Sequence, residues 1–69
     1  MSKIWYAITP SFCNVTRYAE HKDFDHVYDL VMEITDNHET AAGASSWCEL
    51  ASIGEIYEHD AFQIEIIED

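Results

Sequence analysis

The stretch from Asp23 to Asp36, DFDHVYDLVMEITD, carries two opposed stripes. Phe24, Val27, Tyr28, Val31 and Ile34 fall at i, i+3, i+4, i+7 and i+10, with Leu30 widening the band. That spacing belongs to the core-facing side of a helix. Asp25, Asp29, Glu33 and Asp36 recur on the other side of the same helix. Asp23, or the residue before it, suits the N-cap, where a carboxylate accepts a backbone N–H that the first turn leaves without a partner. Asn37 favours a turn, so the helix is predicted to close near Asp36–Asn37. A helix with one apolar side must lay it on a second layer, and the flanking sequence says what that layer is.

Upstream, Lys3–Thr9 reads KIWYAIT, in which Ile4, Tyr6 and Ile8 alternate with Trp5 and Ala7. β-Branched and aromatic residues at a period of two predict a strand, and Pro10, which has no N–H for a ladder, ends it. Ser11–Lys22 fits a helical turn and a strand equally well and is read as a connection with room for one short strand. Downstream, Thr40–Ile53 predicts a second helix whose apolar side is Ala44, Trp47, Cys48 and Ala51, with Leu50 beside them. Ser46 with Glu49 matches a capping box that starts its regular part, and Gly54 suits a terminating glycine. In Glu55–Asp69, Phe62, Ile64 and Ile66 alternate with Gln63, Glu65 and Ile67, and Glu55–Glu58 can pair ahead of them across a His59–Asp60 turn. The expected architecture is α+β: residues 1–69 form one small two-layer domain. Two helices pack on a two- to four-stranded sheet that contains the N- and C-terminal strands as neighbours.

The second feature is charge. The chain has 69 residues and a net charge of −11, and of its 14 Asp and Glu only Glu20 precedes Asp23. Its three basic residues, Lys3, Arg17 and Lys22, all lie before that point. High net charge favours disorder, but 48% of the residues are apolar and 13% aromatic, enough to build a core. No apolar run approaches the roughly 18 residues that span a bilayer, and the N-terminus has no signal-peptide pattern. An intracellular protein that avoids anionic lipid follows, with Cys13 and Cys48 reduced.

Solvated helix faces ordinarily interleave Glu with Lys, because opposite charges four residues apart stabilise a helix while like charges oppose it. Here the partners are missing throughout the chain after Lys22, so the acidic side is read as a surface for another molecule. Carboxylates about 6 Å apart along the helix approach the charge density of a nucleic-acid strand, which has one phosphate per about 3.4 Å. The candidate contact residues are Asp25, Asp29, Glu33, Asp36 and Glu39. A second row is formed by Glu55, Glu58, Asp60, Glu65 and Glu68. Within this acidic patch Trp5, on the strand face away from Tyr6, and Tyr57, between two carboxylates, are the candidate aromatic anchors, because Trp and Tyr dominate many interfaces. The expected partner is a basic nucleic-acid-binding protein. Nucleic acid itself is disfavoured because phosphate is repelled, and a monomer is expected because −11 on each copy opposes docking.

Other chemistries find little footing. His21, His26, His38 and His59 with the two cysteines lack metal-ligand spacing, and Asp23-Phe24-Asp25 lacks the glycine and closing Glu of a calcium loop. Neither a phosphate-binding glycine loop nor a G-x-S-x-G elbow is present, and Cys48 beside Trp47 reads as a small core residue. No catalytic residue, metal or cofactor is assigned, and the chain is not expected to be an enzyme.

In size, in its charge run unbroken from Asp23 onward and in its compact α/β pattern, the chain resembles the small acidic proteins of phages and mobile elements. These include anti-CRISPR proteins and anti-restriction DNA mimics. Ser46-Trp47-Cys48-Glu49-Leu50-Ala51, Ile53-Gly54-Glu55 and Phe62-Gln63-Ile64-Glu65 add to that resemblance. Anti-CRISPR proteins share no motif, so no residue role carries over. The resemblance implies an inhibitor in the cytoplasm of a bacterial host cell that binds a CRISPR-Cas effector subunit and blocks its DNA- or PAM-binding surface. Two alternatives stand beside it: an anti-restriction decoy, and an acidic adaptor that inhibits nothing.

Overall fold

A computed structural model describes residues 3–69 of the chain. Its elements run β1 (Ile4–Pro10), β2 (Arg17–Glu20), α1 (Phe24–Thr35), α2 (His38–Leu50), β3 (Ile56–Glu58) and β4 (Phe62–Glu68). The strands form one antiparallel sheet in the order β2-β1-β4-β3, so the terminal strands are its central neighbours. The two helices cover one face, which is the expected two-layer α+β domain. The stretch left open between Ser11 and Lys22 supplies the edge strand β2.

Register explains the core. Tyr6 stands opposite Ile66 and Ala19, Ile8 opposite Ile64, and Pro10 opposite Phe62. All of these are buried, because alternate strand residues share a face and this face lies under the helices. From above, α1 contributes Val27, Leu30 and Val31, and α2 contributes Ala41, Ala44 and Cys48. The alanines leave room for the two helices to approach closely. Burying a side chain of Val, Leu or Ile size stabilises by about 1.5–3 kcal/mol, so these contacts carry the fold.

The helices are joined by two residues that each do a capping task. Asp36 adopts the left-handed conformation (φ 50°, ψ 35°) and its N–H donates to the Met32 carbonyl at 2.8 Å, which closes α1 where the sequence predicts. The Asn37 side chain accepts the Thr40 N–H at 3.1 Å and opens α2. This places the start of α2 at His38 rather than at Thr40. Ser46 is exposed inside the helix and caps nothing, because Asn37 already satisfies the first turn. Leu50 also departs from expectation and is 89% exposed. It lies about two and a half turns beyond buried Ala41, and so on the opposite side of the helix. The helix ends there, because Ala51 is extended (φ −84°, ψ 152°). Gly54 is not the helix terminator; its φ of +93° serves the next turn, where its N–H donates to the Ile66 carbonyl at 2.9 Å.

One buried polar group ties the layers together. The Tyr6 hydroxyl accepts the Lys22 N–H at 3.2 Å and reaches the Cys48 carbonyl at 3.5 Å. It thereby links β1 to the turn before α1 and to the end of α2. Burial holds its pKa above the ordinary value of 10.0.

Candidate functional site

The described residues include no buried charged side chain, so the acidic groups lie on the surface or half-exposed. Along α1, Asp25, Asp29, Glu33 and Asp36 are all exposed and span about 16 Å of helix. Asp25, in the first turn, is favoured there by the helix dipole, and the same holds for Glu39 in α2. Glu33 is engaged: it accepts a hydrogen bond from Arg17 Nη1 at 2.9 Å, an exposed pair that fastens β2 to α1. The sequence separates these two by sixteen positions, so the pairing is visible only in the fold.

The second acidic row does not continue the first. Glu58 and Glu65 have the parity of the sheet face turned away from the helices, as their partners Gln63 and Ala7 do. α1 and these two carboxylates therefore lie on opposite layers. Glu55 sits in the connection after α2, and its carboxylate accepts the Ser52 N–H at 2.6 Å, a turn-building contact. Asp60 is in the β3–β4 turn, and Glu68 is exposed at the end of β4 on the helix-side parity. The sequence leaves this division hidden because the face of a strand residue depends on register, and a one-residue slip exchanges the faces.

The two aromatic candidates part company as well. Tyr57 shares the parity of buried Ile64, and its ring packs against Trp47 at 5.3 Å and Phe62 at 5.9 Å between centroids. Trp47 arrives from α2 to cover it, so Tyr57 belongs to the edge of the core. Trp5 faces the other way, with no element covering it, and remains half-buried.

Around Trp5 the open face of the sheet is a regular lattice. In its first row Glu20, Trp5 and Ile67 stand side by side across β2, β1 and β4. The next row is Tyr18, Ala7, Glu65 and Ile56, and the third continues with Thr9, Gln63 and Glu58. The Thr9 and Thr16 hydroxyls, 2.8 Å apart, extend that third row beyond β2. Tyr18, Ile67 and Glu20 are the members of this lattice that the sequence does not bring to Trp5. The alternation of KIWYAIT signals the Trp5 side, but RYAE holds only one buried residue, Ala19, too little to reveal a strand's orientation. A shallow depression beside Trp5 is lined by Tyr18, Ile67, Glu68 and Asp69. A cation already rests here: Lys3 Nζ lies 5.3 Å from the centre of the Trp5 ring and 3.9 Å from the Glu20 carboxylate.

The nucleophile and ligand candidates have structural roles. Cys48 is buried, and that burial pushes its thiol up to about 12, so it stays protonated and unreactive at neutral pH. Cys13 is a free thiol in the β1–β2 loop. His59 stacks on Phe62 with ring centroids 4.8 Å apart, and its Nδ1 accepts the Ala61 N–H at 3.0 Å. His38 shares a hydrogen bond with the Tyr28 hydroxyl across the helix pair. No group of three or more metal-binding side chains converges among the described residues, and no helix there is long and apolar enough to cross a membrane.

No protein-family model, curated protein or solved structure matches the chain. What the surface offers chemically is two acidic layers, one of them interleaved with uncovered aromatic and aliphatic side chains.

Proposed function

We propose that this protein is a stoichiometric inhibitor of the anti-CRISPR type. In this reading it binds the basic DNA- or PAM-binding surface of a CRISPR-Cas effector subunit through an acidic face, acts as a monomer in the bacterial cytoplasm, and works by occupancy without catalysis. One observation carries the reading: beyond a few local contacts, such as the Asp23 cap of α1, the Glu55 turn and the Arg17–Glu33 pair, the carboxylates return little to the fold. None is buried, and only two ion pairs form among the described residues, Lys3–Glu20 and Arg17–Glu33, both exposed. Exposed pairs of this kind contribute about 0–1 kcal/mol each, while like charges four residues apart on α1 oppose the helix. Charge that costs stability and returns little within the chain is accounted for by a partner of opposite sign. Electrostatic steering by such a surface speeds association and makes it fall with salt.

The test is displacement. Purified effector complexes and restriction enzymes are loaded with fluorescent target DNA and titrated with the protein at low and high salt. The expected result is release of DNA from a CRISPR effector at near-equimolar protein, weakened by salt. Release from restriction enzymes alone would move the assignment to an anti-restriction decoy. Binding to a basic protein without loss of its DNA would leave the adaptor reading in its place.

A further inference from the structure

We infer that the open face of the sheet, and not the acidic side of α1, is the surface that grips the partner, and that it does so by receiving arginine side chains. The inference rests on the proposed binding to a basic protein and names the face and the chemistry. The two acidic layers differ in what accompanies the carboxylates. On α1 Arg17 already occupies Glu33, in a depression that Phe12, Val15 and Ile34 also line. On the sheet, Trp5, Tyr18 and Ile67 surround a dip lined in part by carboxylate-bearing residues, and no helix covers them. Glu20 flanks Trp5 on one side, and Glu65 lies across from Ala7 in the next row.

The chain itself shows which ligand fits. Lys3 places its ammonium over the Trp5 ring while pointing at Glu20, which is the arrangement of a cation held between a π face and a carboxylate. Lys3 and Glu20 are about two-thirds exposed (65% and 67%), so the contact is loose and open to exchange. A guanidinium suits the position better than an ammonium. It is planar, stacks on Trp and Tyr rings, and offers a fork of donors to a neighbouring carboxylate. Tyr18 is 52% exposed on the same depression and supplies a second ring. Glu58 and Glu65 extend the negative lattice toward β3, so a basic segment lying across the strands meets Glu20 beside Trp5 in one row and Tyr18 with Glu65 in the next. Complementary charge selects this occupant over a second copy of the chain, which would set Glu20, Glu58 and Glu65 against their own equivalents.

Isotope-labelled protein titrated with oligo-arginine and with oligo-lysine of equal length, followed by NMR, tests this directly. The expected perturbations centre on the Trp5 indole N–H and the amides of Tyr18, Glu65 and Ile67. Oligo-arginine should bind about two- to fivefold more tightly than oligo-lysine, the ratio an exposed cation–π contact supports. Trp5→Leu with Tyr18→Leu keeps apolar area but removes both π faces, and should bring the ratio to about one while charge-driven binding persists. A dispersed amide spectrum verifies its fold, and Tyr18→Leu alone serves if the double variant unfolds. The triple variant Asp25→Lys, Asp29→Lys, Glu33→Lys should leave the map on the sheet unchanged. Perturbations centred on α1, or equal affinity for the two peptides, would overturn the inference. So would concentration-dependent shifts of Trp5 and Ile67 without peptide, which would assign the face to a second copy. Failure of the proposed inhibition reads out separately, as peptide binding on the sheet by a protein that displaces DNA from no effector.

Discussion

Asp29→Lys should make this protein more stable. Asp29 is exposed on α1, four residues after Asp25 and four before Glu33, and the substitution moves the net charge from −11 to −9. Each like-charge pair at that spacing opposes a helix by about 0.2–0.5 kcal/mol, and each opposite pair supports it by a similar amount. Reversing Asp29 changes the sign of two such pairs. The gain at Glu33 is reduced because Arg17 already sits 2.9 Å from its carboxylate. The net is about 1 kcal/mol. For a domain of this size that raises Tm by about 4–8 °C.

Thermal and urea melts at low salt and at about 0.5 M NaCl measure it, since the Debye length at high salt falls below the distance between neighbouring helix charges. The stabilisation should be largest at low salt and shrink by half or more at high salt. Asp29→Gln, which removes a charge without adding one, should fall between the parent and the lysine variant. Equal stabilisation at both salt concentrations would show that helix propensity, not repulsion, is responsible. No stabilisation at low salt would refute the argument that the acidic stripe opposes the fold, and with it the main support for a partner-directed charge.

Two further outcomes follow from the core. Tyr6→Phe leaves the Lys22 N–H without its acceptor at 3.2 Å and should cost about 1–2 kcal/mol in a urea melt; a neutral result would mean that water replaces the hydroxyl. Cys48 has an ordinary thiol pKa of 9.0 that burial pushes up to about 12 in the folded protein. The unfolded chain therefore loses this proton first as pH rises. Stability is full below about pH 9 and declines as pH rises toward 12. Tyr6, raised by burial from 10.0, adds to the decline above that value. Melts between pH 8 and 10.5 should show the slope in the parent and a shallower one in Cys48→Ala.

The parts of the fold that were legible in the sequence are those with a long period. α1 announced both of its sides because twelve residues sample more than three turns. The terminal strands, seven residues each, showed clean alternation, and their pairing followed from their being the strongest β segments. Short or tertiary features were not legible. β2 has four residues, and the start of α2 was obscured by a Ser46–Glu49 pattern that matches a cap but lies in mid-helix. For the surface, the acidic residues could be named individually, but their division between two layers required the β1–β4 register. The strand face that Trp5 takes is legible because Tyr6 beside it is so clearly a core residue. The packing of Tyr57 is not legible because the residue it packs against, Trp47, comes from another element.

Under the proposed binding, that division would give the two acidic sets different tasks. The molecule is only 17 Å thick along its shortest axis, yet this is about twice the Debye length at physiological ionic strength. If the proposed partner seats on the sheet, carboxylates on the helical layer are screened from it at physiological ionic strength and reach an approaching partner only at low salt, where the Debye length grows to about 30 Å. Reversing Asp25, Asp29 and Glu33 should therefore slow association, most at low salt, and leave dissociation nearly unchanged. Trp5→Leu and Glu65→Gln should accelerate dissociation at every salt concentration, because they remove the contacts proposed for the complex. Surface-plasmon measurements on the effector found by displacement separate the two rates. If the helix variant raised the dissociation rate as much as the sheet variants, the partner would have to reach both layers at once. The docking surface would then be a cleft closing around the domain, not a patch lying against its sheet.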